Sequence, residues 1–127
     1  MCFNGWVSFQ YSQSTGVLNH DGLVVGTGYS GAGYGKNDPE CQQIPNVGPL
    51  PRGGYVIGAP YDHPTLGPHV MNLTPYPANE MYGRSLFRIH GDNPAHVGES
   101  SDGCIVLELA AREVISQSGD SVLQVVL

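Results

Sequence analysis

The hydrophobic pattern of the first 27 residues has a period of two. In WVSFQYSQ, Trp6, Ser8 and Gln10 fall on one face and Val7, Phe9 and Tyr11 on the other, as a half-buried strand requires. Ser14-Thr15-Gly16 supplies a turn, VLNH a second strand, Asp21-Gly22 a hairpin signal and LVVGT a third strand. A three-stranded meander is predicted over about residues 5–27. From Gly28 to Pro51 the alternation lapses into turn-formers, GYSGAGYGKNDPECQQIPNVGPLP. So long a loop in a compact chain is expected to be functional or to pack as an excursion over the surface. Further strands are expected at GGYVIGAP, VMNLT, SLFRIHG, CIVL and SVLQVVL. A helix-period pattern occurs in LELAAREVISQSG, where Leu107, Ala111, Val114 and Ile115 share a face and Gly119 can close the helix. The expected fold is mainly β: a single β-sandwich-like domain over residues 1–127 with one short helix near the C-terminus.

Composition sharpens this picture. Eighteen glycines and ten prolines lie between apolar runs, so they read as turns of a loop-rich β protein rather than as disorder. The net charge of −6, with five Lys and Arg in all, leaves no basic footprint for nucleic acid or an anionic membrane surface. No apolar stretch has the length of a membrane-spanning helix. MCFNGWVSFQYSQ has neither a basic region nor a continuous apolar run, so no secretory signal is expected there. Three cysteines, Cys2, Cys41 and Cys104, make a poor disulfide framework, although an oxidising compartment would allow a Cys2–Cys41 bridge.

Several motifs fail on context. Gly26-Thr27-Gly28-Tyr29-Ser30-Gly31 fits G-x-G-x-x-G, but a turn-rich loop follows where a dinucleotide site needs a helix N-terminus. Gly35-Lys36 lacks the other residues of a phosphate-binding loop. Asn72-Leu73-Thr74 is a glycosylation sequon by pattern alone. His63 and His69, and His90 and His96, share a spacing, with Asp62 nearby, yet both pairs are read as loop residues without zinc-motif spacing. Neither a metal nor a cofactor is expected.

The segment IHGDNPAHVGESSDGCIVL, Ile89 to Leu107, is different. His90 ends an apolar strand at Gly91. Cys104 sits in a Ser-Asp-Gly-Cys turn that would expose the thiol and aim successive N–H groups at one point, as an oxyanion hole requires. One reading is a buried cysteine and an unrelated strand-end histidine. The other is a thiol nucleophile with its base, a physical route to acyl transfer. Arg88 and His90, two apart on one strand, leave the same face, which makes Arg88 a candidate clamp for a substrate carboxylate.

His-Gly-Asp-Asn…Ser-x-Gly-Cys-Ile resembles the signature of YkuD-type L,D-transpeptidases, above all the compact branch delivered as antibacterial effectors by type VI secretion. The likeness extends upstream through TGYSGAGYGKNDPECQQIPNVGPLPRGGYVIG and covers about residues 27–109. It departs at Val106, where many of these enzymes carry Arg or Asn, so recognition of a substrate carboxylate must come from elsewhere. The resemblance implies attack by Cys104 on peptidoglycan tetrapeptide stems, between the third residue (meso-diaminopimelate) and D-Ala. His90 would be the base, the Gly91 carbonyl its orienting group, and Gly103 and Cys104 N–H the oxyanion donors, with Ser101 steadying the turn. Tyr29, Ser30 and Gly31, together with Arg88, Asp92 and Asp102, would bind the stem. The long loop would wall the groove, the alternative being a cover for an open sheet edge. The same resemblance implies synthesis in the cytoplasm, type VI delivery components, action in a target cell's periplasm and a cognate immunity protein.

Two other readings stand beside it. A papain-like or NlpC/P60-type peptidase would place Cys before His, the reverse of this order. A non-catalytic β-sandwich would use Tyr29, Tyr34, Tyr76 and Tyr82 as a binding platform.

Overall fold

The structure, a computed structural model, describes residues 8–127. The expected placement of Trp6 and Val7 therefore lies outside the described residues. The meander is present as β1 (Phe9–Ser12), β2 (Val17–His20) and β3 (Leu23–Thr27). Phe9 and Tyr11 are wholly buried while Gln10 is exposed, so the alternation does set the inward face.

The remaining strands are β4 (Tyr29–Ser30), β5 (Gly53–Ile57), β6 (Tyr61–His63), β7 (Gly67–Pro75), β8 (Arg88–His90), β9 (Ile105–Val106) and β10 (Val122–Val126). They form one sheet in the order β3-β2-β1-β10-β5-β7-β8-β9-β4, with β6 paired to β7. The two ends of that order, β3 and β4, are joined through Gly28 alone. The sheet therefore curls back on itself into a nearly closed, mainly β fold. Gly28 is required at this seam: a Cβ there would lie 1.8 Å from the Val106 carbonyl oxygen.

The core is the interior of this sheet. Phe9, Tyr11, Leu18, Tyr55, Met71, Ile89, Ile105 and Leu123 are fully buried and belong to one cluster. The single α-helix of the described residues, α1 (Leu109–Gln117), covers it with Ala111 and Ile115. One expectation fails here. Val114 is 47 % exposed, and the position it was assigned on the buried stripe is taken by Arg112, which is 6 % exposed. The guanidinium can be buried because backbone carbonyls receive it, as described below.

The stretch from Gly28 to Pro51 is less irregular than its composition implies. It contains β4 and two single-turn helices, Gly33–Gly35 and Pro39–Cys41, the second capped by the Asp38 carboxylate accepting from Glu40 N–H. Cys41 is a free thiol close to the Asp38 carboxylate, and Cys2 lies outside the described residues.

Candidate active site

β8 and β9 run parallel, with Ile89 beside Ile105 and His90 beside Val106. Both isoleucines point into the core. Side chains alternate along a strand, so Arg88, His90, Cys104 and Val106 share the opposite face. Continuing the register back by one residue sets Cys104 beside Arg88 and diagonally across from His90. Adjacent strands stand about 4.8 Å apart, so an imidazole on one reaches toward a thiol on the next.

His90 is 2 % exposed, and its Nδ1 lies 2.8 Å from the Gly91 carbonyl oxygen. A carbonyl only accepts, so Nδ1 carries the proton and Nε2 holds a free lone pair. Burial pushes the His90 pKa below its ordinary value, with the Arg112 and Arg88 charges acting in the same direction. The Gly91 hydrogen bond and Asp92 oppose them. Cys104 is partly exposed. Burial pushes its thiol upward; the Arg88 backbone N–H and the Arg88 and Arg84 charges pull against that, while Asp102 adds to it. Both directions favour a neutral imidazole beside a protonated thiol.

The turn before Cys104 is held by Ser101. Its hydroxyl donates to the Cys104 carbonyl (2.6 Å) and accepts from Gly103 N–H (3.0 Å) and Gly31 N–H (2.9 Å). Gly103 has φ +132° and no room for a side chain, since a Cβ would lie 2.5 Å from an Arg84 nitrogen. The Gly103 N–H, expected to serve as an oxyanion donor, donates here to the Ser101 hydroxyl. The Cys104 N–H makes no hydrogen bond among the described residues.

The residues assigned to stem binding separate. Ser30 is wholly buried: its hydroxyl donates to the Gly103 carbonyl and accepts from Leu50 N–H, both at 2.8 Å. Gly31 is buried as well, its N–H held by Ser101. Both brace the cysteine turn. Tyr29 is 9 % exposed; its hydroxyl donates to Asp92 (2.7 Å) and accepts from Ser100 N–H (2.9 Å). Asp92 also accepts from Gly98 N–H at 3.0 Å. Lys36 stands over the Tyr29 ring and donates to the Gly98 carbonyl. The long loop thereby ties down the segment between His90 and Cys104. With Tyr29 buried, the proposed aromatic platform loses a member.

Arg88 donates through Nε to Tyr61 and Asn72, both at 3.2 Å. Asp102 is exposed and its carbonyl receives Arg84. The histidines read as loop residues at 63 and 69 lie instead on the β6–β7 hairpin. His63 Nδ1 accepts from Leu66 N–H, and His69 Nε2 bonds the Ser116 hydroxyl.

A cleft of about 500 Å³ opens beside this face. It is lined by His90, Gly91, Asp92, Pro68, Glu99 and Arg112, among others. The sequence reading missed Arg112. A lone arginine in an amphipathic helix reads as part of the solvated face, and only its place beside Ala111 in the chain hints otherwise.

With this geometry, the chain matches the family model of the Tlde1 domain over residues 25–121. The chain belongs to the Tlde1 domain family. That family comprises type VI secretion effectors of the L,D-transpeptidase kind, which modify peptidoglycan. The matched residues run from β3 through the helix and include His90, Cys104 and Arg112. No curated protein matches the chain. No helix among the described residues is long and apolar enough to cross a membrane.

Proposed function

We propose that this chain is a cysteine-dependent L,D-carboxypeptidase and L,D-transpeptidase acting on tetrapeptide stems of peptidoglycan. The observation that carries the reading is the His90 Nδ1–Gly91 carbonyl bond. It presents a basic Nε2 on the face that Cys104 shares. With both groups neutral at rest, attack proceeds by general-base catalysis rather than from a preformed thiolate.

His90 Nε2 takes the thiol proton as sulfur bonds to the carbonyl carbon of the third stem residue. The oxyanion is received by the Cys104 N–H. The carbon–nitrogen bond then breaks, His90 returns its proton to the departing D-Ala amine, and a thioester remains. Water, a free D-amino acid or the amine of a neighbouring stem attacks the thioester and regenerates the thiol. These acceptors give hydrolysis, exchange and a 3–3 crosslink respectively. Arg88, beside Cys104, is the candidate group for a carboxylate of the acyl half. Membership of the family supports a reading of type VI delivery, action in the periplasm of a target cell and a cognate immunity protein. Purified muropeptides incubated with the protein, with Cys104→Ala as control, test the reading: D-Ala release or exchange by mass analysis supports it, and unchanged muropeptides reject it.

A further inference from the structure

Arg112 is 6 % exposed, yet no carboxylate pairs with it among the described residues, where the one ion pair is His20–Asp120. Backbone carbonyls hold part of the guanidinium. Nε donates to Leu107 (3.1 Å), and Nη1 donates to Pro68 (2.6 Å) and His69 (3.3 Å). Nη2 makes no hydrogen bond among the described residues. A Cβ on Gly91 would lie 2.6 Å from it, so the absence of a side chain at position 91 leaves this nitrogen room beside His90. Both residues line the same cleft. A buried cation without an anion is costly, and an unengaged donor facing a cleft marks where the missing anion belongs.

We propose that Arg112 Nη2 receives the α-carboxylate of the amino acid that leaves or enters at the thioester. The inference rests on the reading of His90 and Cys104 given above. In that reaction His90 protonates the departing amine of D-Ala. The carboxylate of that amino acid is on the carbon next to the amine, so it comes to rest on the His90 side of the thiol, where Arg112 stands. A D-amino acid entering for exchange has the same pattern, an amine with a carboxylate on the adjacent carbon. The acceptor amine of a diaminopimelate residue shares it. Asp92 and Glu99 line the same cleft and disfavour a simple anion. An amino acid zwitterion satisfies both signs. Val106 carries no charge, so the helix supplies the cation that β9 does not.

The test compares a tetrapeptide stem ending in D-Ala with the same stem ending in D-alaninamide, together with binding of D-alanine and D-alaninamide to Cys104→Ala protein by NMR titration. The expected result is a preference for the free carboxylate of about 10- to 100-fold in kcat/KM, the worth of one charged hydrogen bond. That preference should fall to within about threefold in folded Arg112→Gln and Arg112→Lys proteins. D-Alanine should bind the Cys104→Ala protein, and D-alaninamide and inorganic phosphate should not. Equal cleavage of acid and amide by the wild type, or a preference that survives in Arg112→Gln, overturns the inference. If neither stem is cleaved, the proposed function fails, while D-alanine binding that Arg112→Gln weakens still supports the site. Absence of both cleavage and D-alanine binding rejects both.

Discussion

Two buried arginines flank the Cys104–His90 face, and they differ at their terminal nitrogens. Arg84 is 8 % exposed and Arg112 6 %. Neither pairs with a carboxylate among the described residues. Arg84 donates from Nη1 to the carbonyls of Gln42 and Pro49 (2.8 Å to the latter) and from Nη2 to Gly48 (3.0 Å) and Asp102 (3.4 Å). Both of its terminal nitrogens are engaged, and what they hold is the Gly/Pro loop against the cysteine turn. Arg112 has one terminal nitrogen engaged and the other without a hydrogen bond among the described residues, and its side chain lines a cleft. Equal burial and equal lack of a counter-ion therefore do not make two sites. An arginine whose terminal nitrogens both meet carbonyls is part of the frame, and one with a terminal nitrogen left over is a place for a ligand.

The largest expected effect lies on the seam between the two sides. Cys104→Ala should abolish D-Ala release from tetrapeptide stems while the thermal melt stays close to wild type, since a partly exposed thiol contributes little packing. Full turnover by that protein would remove the comparison's premise, because neither arginine would then flank a nucleophile. His90→Ala comes next, with a loss of roughly two to four orders of magnitude in kcat, the scale of general acid–base catalysis. His96→Ala, in the exposed loop, should cost far less. The reverse ranking would move the base to the other end of the cleft.

Arg84→Met turns the comparison into a measurement of stability. It leaves the carbonyls of Gln42, Gly48 and Pro49 without their donor in buried surroundings. About 3 kcal/mol or more of unfolding free energy should be lost, from orphaned acceptors at about 1–3 kcal/mol each. Chemical denaturation would read it. Arg84→Met should not erase the choice between stem acid and stem amide. If it does so while remaining folded, the division into frame and site is wrong.

What the sequence revealed of this arrangement follows from the range of the forces involved. The meander, β5 and the helix were legible because alternation, turn residues and helical period are local. β4 and β6 were not. Tyr29–Ser30 exists as a strand only because Ile105 and Val106 come to pair with it, and Tyr61–His63 includes an aspartate and a histidine that read as a turn. In the site, His90, Gly91 and Cys104 stand out by motif. Ser30 lies in the upstream segment of the likeness, but its hydrogen bonds run to Leu50 and Gly103 across the fold, which no spacing announces. Arg112 was hidden for a related reason. Its acceptors, Pro68 and His69, come from a hairpin distant in the chain.

The smallest effect separates the two arginines by the group each acts on. Arg112 helps to lower the pKa of His90, and Arg84 helps to lower that of Cys104. Activity requires His90 unprotonated at the start, so kcat/KM should fall on the acid side only below the ordinary histidine value. It also requires the thiol proton to reach His90 for delivery to the leaving amine. Once Cys104 loses that proton to solvent, the base has nothing to return, which sets the alkaline limb above the ordinary cysteine value. Removing the Arg112 charge with Arg112→Gln should therefore shift the acid limb to higher pH and leave the alkaline limb in place. Arg84→Met should shift the alkaline limb further up and leave the acid limb in place. Profiles of kcat/KM over about pH 5–10 for the three folded proteins would show it. If both substitutions move the same limb, the two guanidiniums act on one shared group, and the separation of frame from site does not extend to the electrostatics of the pair.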